Sequence, residues 1–354
     1  APGARGRTTQ NSAGVYTGKA PSAIIDLKAA VRYLRFNAGV LPGDTEKIVS
    51  NGTSAGGALS ALLGASGNAP DYAPDLAELG AADARDDIFA VSAYCPITNL
   101  ENADAAHEWQ FNGVNEYRKI EMNMLDFNVA RKEVSGTLTP AQMQVSNQLK
   151  PLFPAYVNSL KLRTPSGDPL TLDDAGNGSF REWVKRHVIA SAQAALDAGQ
   201  DMSAYRWVTV VGGQVQDLDF DSYVRYLGRM KLPPAFDALD LSSGENSLFG
   251  TASIHARHFT AYAASQSTAT PSSRADEKLV KMMNAMRYIG AADARTAPNW
   301  RIRHGTADRD TSLAISTLLA TSLQGQGRTV DFAMPWNIPH GGDYDLDQLF
   351  AWIR

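Results

Sequence analysis

The seven residues Asn51-Gly52-Thr53-Ser54-Ala55-Gly56-Gly57 constrain this chain more than any other stretch. Ile48 and Val49 stand before them, and Ala58, Leu59, Ala61, Leu62 and Leu63 follow at helical spacing, with Gly64 and Gly67 placed to stop the helix. The pattern predicts the end of a buried strand over residues 46–50, a tight turn, and then a helix. A serine in G-x-S-x-G at such a turn is lifted clear of the sheet edge on a strained backbone. A side chain at Gly52 or Gly56 is expected to collide with the neighbouring strand or helix. The helix that starts after Ser54 aims free N–H groups at the place where an oxyanion would form, which makes the Ala55 amide a candidate donor. Gly-rich turns carry the same motif by chance. The chemistry therefore needs an acid and a histidine further along, in that order.

The flanking pattern is that of alternating helices and strands. Residues 22–36 predict an amphipathic helix with Ile24, Ile25, Leu27, Ala30, Val31 and Leu34 on one face, and Asp26 in its first turn, where negative charge is favoured. Residues 69–87 read as loop plus a short helix. Residues 88–94 are a continuous apolar run, as expected of a strand buried on both faces. That run delivers Cys95-Pro96-Ile97-Thr98 to the end of the sheet where open α/β folds keep ligands. From about residue 100 to 298 helical stretches dominate (103–109, 141–149, 179–198, 275–287), broken by Pro- and Gly-rich segments, with a short strand or hairpin arm over 205–211. This predicts a mainly helical cap inserted into the sheet domain and roofing a substrate cleft. The strand pattern returns at residue 299. Trp300 to Arg303 alternate as a strand, residues 304–308 turn, 312–324 form a helix, 329–334 a strand, 335–342 a loop, and 346–353 a closing helix.

The order Ser54, Asp308, His340 is that of α/β-hydrolases, each residue at or just beyond the C-terminal end of a strand. Each also has a plainer reading. Asp308 could be a helix N-cap ahead of Asp310 and Ser312, and His340 a turn residue in Pro-His-Gly-Gly. His107, His187, His255 and His258 fall in the cap, and His304 precedes the acid on the same strand.

Composition narrows the function. At 20% charged residues and a net charge of −4, the chain has no basic footprint for nucleic acid or an anionic membrane. A single cysteine excludes an internal disulfide. Neither zinc-type Cys/His spacing nor an HExxH stretch occurs, so no metal or cofactor is expected. The compartment is not readable.

The stretches NGTSAGGALSALLGASGN, AYCPITNLENAD, WRIRHGTADRDTSLAI and PHGGDYD resemble the bacterial tannases of subtype B, in the α/β-hydrolase superfamily, which also resemble bacterial feruloyl esterases. The similarity extends to the early PGARGR and LKAAVRYL segments and so covers nearly the whole chain. It implies a doubly wound, mostly parallel sheet over residues 1–99 and 299–354, with a large inserted cap over 100–298. It places the family's triad on Ser54, Asp308 and His340. It also implies that Lys231, Glu245 and Asp310 hold the three galloyl hydroxyls, and the chemistry suits them: two carboxylates can accept from ring hydroxyls and an ammonium can donate. In the family roughly a hundred residues precede the PGARGR segment, supplying the first strands and a second oxyanion donor. Those strands are expected either in a segment outside this sequence or in a separate N-terminal fragment that completes the sheet. The expected partner is a small aromatic ester. The expected activity is serine ester hydrolysis of galloyl esters. Competing readings are a feruloyl or general carboxylesterase with the same triad, a serine peptidase, and a non-catalytic hydrolase homologue used for binding.

Overall fold

The computed structural model describes residues 4–125 and 128–354. After an extended N-terminal stretch come helix α1 (Ser22–Phe36), strand β1 (Val49–Thr53), α2 (Ala55–Ala65), α3 (Ala73–Glu78) and β2 (Ala90–Tyr94). The insertion follows: α4 (Leu100–Phe111), a hairpin of β3 (Glu116–Leu125) and β4 (Asn128–Thr137), α5 (Pro140–Leu149), α6 (Leu152–Ser159), α7 (Ser179–Asp197), a hairpin of β5 (Val208–Val211) and β6 (Gln214–Leu218), α8 (Phe220–Leu227), α9 (Gly244–Leu248), α10 (Ala261–Ser265) and α11 (Glu277–Met282). The chain then returns through β7 (Asn299–Arg303), α12 (Leu313–Gly325), β8 (Thr329–Ala333) and α13 (Leu346–Ile353).

The four core strands are parallel, in the order β1-β2-β7-β8. Their last residues lie in one row, Thr53 opposite Tyr94, Tyr94 opposite Arg303, and Arg303 opposite Ala333. Whatever follows each strand therefore emerges at the same edge, as parallel pairing with crossover helices requires. β1 is paired on one side only among the described residues.

One face of the sheet packs Val91, Ala93, Trp300 and Ile302 against Ile24, Val31, Leu62 and Leu319 of α1, α2 and α12. Gly64 makes this approach possible, because a Cβ there would lie 2.2 Å from Val91 Cγ2. It sits inside α2 rather than ending it. The other face is polar in part. The alternation in Trp300–Arg303 does not turn the arginines to water: Arg301 and Arg303 are buried. Arg301 donates to Tyr94 Oη (2.9 Å) and pairs with Asp345, while Arg303 pairs with Asp331 at 2.7 Å. Buried cations without such partners would be strongly destabilising.

Three local expectations need correction. β1 begins and ends three residues later than the Ile48-Val49 run suggests, and it is half-buried, because the polar Asn51-Gly52-Thr53 segment itself pairs with β2. Asp26 lies beyond the first turn of α1 and instead holds Arg5 at 2.8 Å. The face of α1 that packs inward includes Lys28, fully buried on Asp86 (2.8 Å) and on Ser66 O (2.6 Å), whereas Leu34 is 38% exposed.

The insertion is helical but also carries the β3–β4 hairpin, which the sequence pattern did not suggest. It has its own core of Trp109, Phe153, Phe180, Val184, Phe220 and Tyr223, continuous with Leu313 and Leu318 of α12. No helix among the described residues is long and apolar enough to cross a membrane.

Candidate active site

Ser54 links β1 to α2 with φ 57° and ψ −119°, a conformation that costs a non-glycine residue about 1–3 kcal/mol. The neighbourhood holds it there. Ser54 N–H donates to Tyr94 O (2.9 Å), and Ser54 O accepts from Ala58 N (2.9 Å) and Ile97 N (3.4 Å). The turn leaves no room at Gly52, where a Cβ would lie 2.3 Å from Gly56 O. The second tight position is Gly57, not Gly56 as expected: a Cβ at Gly57 would come within 2.7 Å of Tyr94 O, whereas nothing lies within 4 Å of one at Gly56. Ala55 is the exposed first residue of α2, and the first amides of a helix have no partner inside it.

The acid turn after β7 and the loop after β8 are bonded to each other. Thr306 N donates to Pro335 O (2.9 Å), Ala307 N to Ile338 O (3.0 Å) and Asn337 N to Thr306 Oγ1 (2.7 Å). Tyr223 of α8 donates to Thr306 O and so ties the insertion to the same turn. The close approach of the second loop to β1 brings Gly342 against Thr53, with 1.9 Å from a hypothetical Cβ to Thr53 Oγ1.

These contacts place His340 Nε2 at 2.8 Å from Ser54 Oγ and His340 Nδ1 at 2.8 Å from Asp308 Oδ2. The carboxylate only accepts, so Nδ1 carries the hydrogen and Nε2 is left to accept from Ser54. Asp308 is fully buried, and its two oxygens divide the labour. Oδ1 accepts from Asp310 N (2.8 Å) and Thr311 N (3.2 Å), while Oδ2 faces His340 and also His304 Nε2 at 3.2 Å. Asp308 thus caps a turn as well as facing the histidine, and the N-cap of α12 is Ser312. Burial alone would raise the Asp308 carboxyl. The facing His304 and His340 rings outweigh it and hold the group well below the usual carboxylate range. For His340, burial acts to lower the pKa. The bonds to Asp308 and Cys95 and the charges of Asp308 and Asp310 overcome that, so the imidazole is more basic than an ordinary histidine.

Two residues beside this chain have no role assigned from sequence. His304 is fully buried, with Nδ1 2.8 Å from Ser316 Oγ and Nε2 3.2 Å from the same Asp308 oxygen that faces His340. Its only sequence signal was its place four residues before the acid. Cys95 lies buried at φ 36°, with Sγ 3.3 Å from Gly341 O and 3.9 Å from His340 Nε2. Its signal was its position directly after a fully buried strand pattern.

The three residues expected to hold ring hydroxyls are distributed as follows. Lys231 Nζ lies 3.2 Å from Asp310 Oδ1, which is 4.0 Å from His340 Nε2. Glu245 forms no ion pair with Lys231 among the described residues. It lines a cavity of about 230 Å³ together with Ala55, Ala58, Ile97 and Arg7. An oxygen nucleophile bonded to an imidazole that is itself oriented by a carboxylate is suited to acyl transfer.

A family model described as BD-FAE matches residues 12–155. No curated protein matches. Among solved structures, the crystal structure of tannase from Lactobacillus plantarum shares 51% identity with a TM-score of 0.96, over 99% of this chain and 75% of that one. Fusobacterium nucleatum tannase shares 52% with a TM-score of 0.94, over 99% and 76%. A tannin acyl hydrolase in complex with ethyl gallate shares 52% with a TM-score of 0.92, over 99% and 74%. Half of all positions are identical to these enzymes across essentially the whole of this sequence, on the same backbone, and the chain therefore belongs to the tannases and is a carboxylic ester hydrolase.

Proposed function

We propose that the chain hydrolyses esters of galloyl-type aromatic acids through an acyl-enzyme on Ser54. The observation that carries this is the unbroken Ser54–His340–Asp308 hydrogen-bond chain with the Lys231–Asp310 pair beside it. His340 Nε2 takes the proton as Ser54 Oγ attacks the ester carbonyl, and Asp308 steadies the imidazolium. Ala55 N–H donates to the developing oxyanion. The C–O bond to the alcohol breaks, and the alcohol leaves with the proton from His340. Water then enters, gives a proton to His340 and attacks the acyl carbonyl, and the aromatic acid is released with Ser54 restored. Lys231 donates to one ring hydroxyl, and Glu245 and Asp310 accept from the others. The complex of a related tannin acyl hydrolase with ethyl gallate supports this choice of acyl group.

Glu245→Ala is expected to lower kcat/KM for methyl gallate by roughly ten- to a hundred-fold, the cost of about one to three kcal/mol for a lost buried partner. On methyl benzoate, which has no ring hydroxyls, it should change little. Equal losses on both esters would remove the gallate assignment and leave the esterase standing. The match to the BD-FAE model favours a second reading, hydrolysis of feruloyl esters. Methyl ferulate offers fewer free hydroxyls to the same cluster, so a higher kcat/KM on ferulate than on gallate would decide for it.

The basicity of His340 sets a pH dependence. The base must be neutral to accept the Ser54 proton, so kcat/KM falls as pH drops through a His340 pKa that lies above its ordinary value. Asp310→Asn removes a negative charge 4.0 Å from Nε2. At that range a water-screened charge is worth about 1 kcal/mol, or roughly 0.7 of a pH unit. The acid limb measured on methyl benzoate should therefore move down by about half a unit, part of the charge being offset by Lys231. An unmoved limb would mean that Asp310 does not act on His340.

A further inference from the structure

Lys231 and Glu245 come from separate segments of the insertion, and neither segment is a long helix that could set their spacing. What joins them is a buried carboxylate that has no place in the mechanism. Asp237 is fully buried, and its two oxygens face five donors. Oδ1 takes Asn246 Nδ2–H and His258 Nδ1–H, each at 2.7 Å. Oδ2 takes Phe259 N (3.0 Å), Thr260 N (2.7 Å) and Thr260 Oγ1 (2.8 Å). A carboxylate so fully supplied tolerates burial, and removing one of its donors leaves a costly vacancy in a low-dielectric site.

The node reaches the segments that carry both residues. Asn246 directly follows Glu245, and its side chain also forms the capping box with Ser243 that starts α9. On the other side, the backbone amides of Phe236 and Asp237 donate to Asp104 of α4 at 2.7 and 3.1 Å. The Phe236 ring lies under Lys231, with Nζ 4.0 Å from its centroid. A displacement of Asp237 would thus shift the ring beneath Lys231 and the turn that presents Glu245 together.

The network also contains a Ser267–His258–Asp237 chain, at 2.8 and 2.7 Å, that repeats the bonding pattern at Ser54. Its setting is different. His258 is fully buried, and Ser267 Oγ also faces Leu239 O (3.4 Å) and accepts from Ala269 N (3.3 Å). Ser267 sits after α10 rather than at the N-terminus of a helix, so no row of free amides faces it. This second chain anchors; it does not react.

We propose that Asp237 is the positioning residue that fixes the separation of Lys231 and Glu245, and with it the preference for hydroxylated acyl groups. The proposal rests on the reading that these two side chains hold ring hydroxyls. In Asp237→Asn the new amide meets the Asn246 amide donor to donor, and the link to Glu245 is lost. Asn246→Ala breaks the same link without touching Asp237, and it carries the test if Asp237→Asn does not fold. Each variant is expected to lower kcat/KM on methyl gallate at least tenfold, chiefly by raising KM, while methyl benzoate hydrolysis stays within about twofold of the parent. The exchange Asp237→Asn with Asn246→Asp restores a donor–acceptor pair and should recover part of the gallate loss. A selective loss in Glu245→Ala with none in Asp237→Asn and Asn246→Ala overturns the positioning role alone. No selective loss in Glu245→Ala overturns the hydroxyl reading and the positioning role with it. Fluorophosphonate labelling of the Ser54→Ala variant at Ser267 would overturn the anchoring role given to the second chain.

Discussion

Ser54→Ala is expected to reduce ester hydrolysis by about a million-fold, the scale on which removal of a triad nucleophile acts. The fold should be unaffected. Ser54 is half-buried and its hydroxyl bonds only His340 among the described residues, whereas the backbone bonds that hold the turn involve Ser54 N and O and survive the change. An alanine is no more strained than a serine at φ 57°. The measurement is kcat on methyl gallate and on a p-nitrophenyl ester, alongside thermal unfolding. Retention of a tenth of the parent kcat at unchanged stability would show that Ser54 is not the nucleophile.

Asp308→Asn comes next in size. The asparagine oxygen can keep the bonds from Asp310 N and Thr311 N, which fixes the amide group toward His340. An N–H then points at Nδ1, the imidazole is forced to carry its hydrogen on Nε2, and Ser54 Oγ loses its proton acceptor. A fall in kcat of about ten thousand-fold is expected, equivalent to about 5 kcal/mol. Both esters should suffer equally, since the ring plays no part. A loss below tenfold would place the orienting carboxylate elsewhere. The low pKa of Asp308 adds a sign. A carboxyl held below its unfolded value contributes stability above that unfolded value and loses it as pH falls through the folded one. The variant therefore gives up stability at neutral pH and loses less on acidification than the parent.

The sequence was legible where one residue type answers one physical demand. Gly52 and Gly57 have no substitute in a turn that packs backbone on backbone, and the mostly apolar run that becomes β2 has no other home than the centre of a sheet. The last helix spans 346–353, the residues expected of it. The polar interior was not legible. Lys28, Glu108, Arg229, Asp104 and Asp237 are all buried, yet on composition each would be assigned to a solvated face. Their partners lie far along the chain, Glu108 with Arg229 at 2.7 Å for example, and a single sequence carries no trace of such pairing. The β3–β4 hairpin escaped for a related reason. Glu116, Arg118, Lys119, Lys132 and Glu133 fill its arms with charge, and no apolar alternation marks it as a strand pair. For the site, chain order gave the reacting residues, whereas His304 and Cys95 are drawn to them only by the register of the strand ends.

The placement of the insertion between β2 and β7 bears on how the molecule assembles. These strands are neighbours in the sheet, yet about 200 residues separate them along the chain. Closing so large a loop as a random coil is entropically opposed, and contacts of such long range slow folding. A condensed insertion changes the problem, because its own aromatic core draws α4 and α11 into one body and delivers the chain on either side to a common place. The core of the insertion runs on into α12, so β7 and α12 can dock as it forms rather than search for β2 unaided. The reacting serine stands on a local strand and helix, but its acid and base reach it only across the longest-range pairing in the sheet. A chain in which β2 and β7 are unpaired thus lacks an assembled nucleophile, so recovery of esterase activity on refolding is expected to report completion of the sheet.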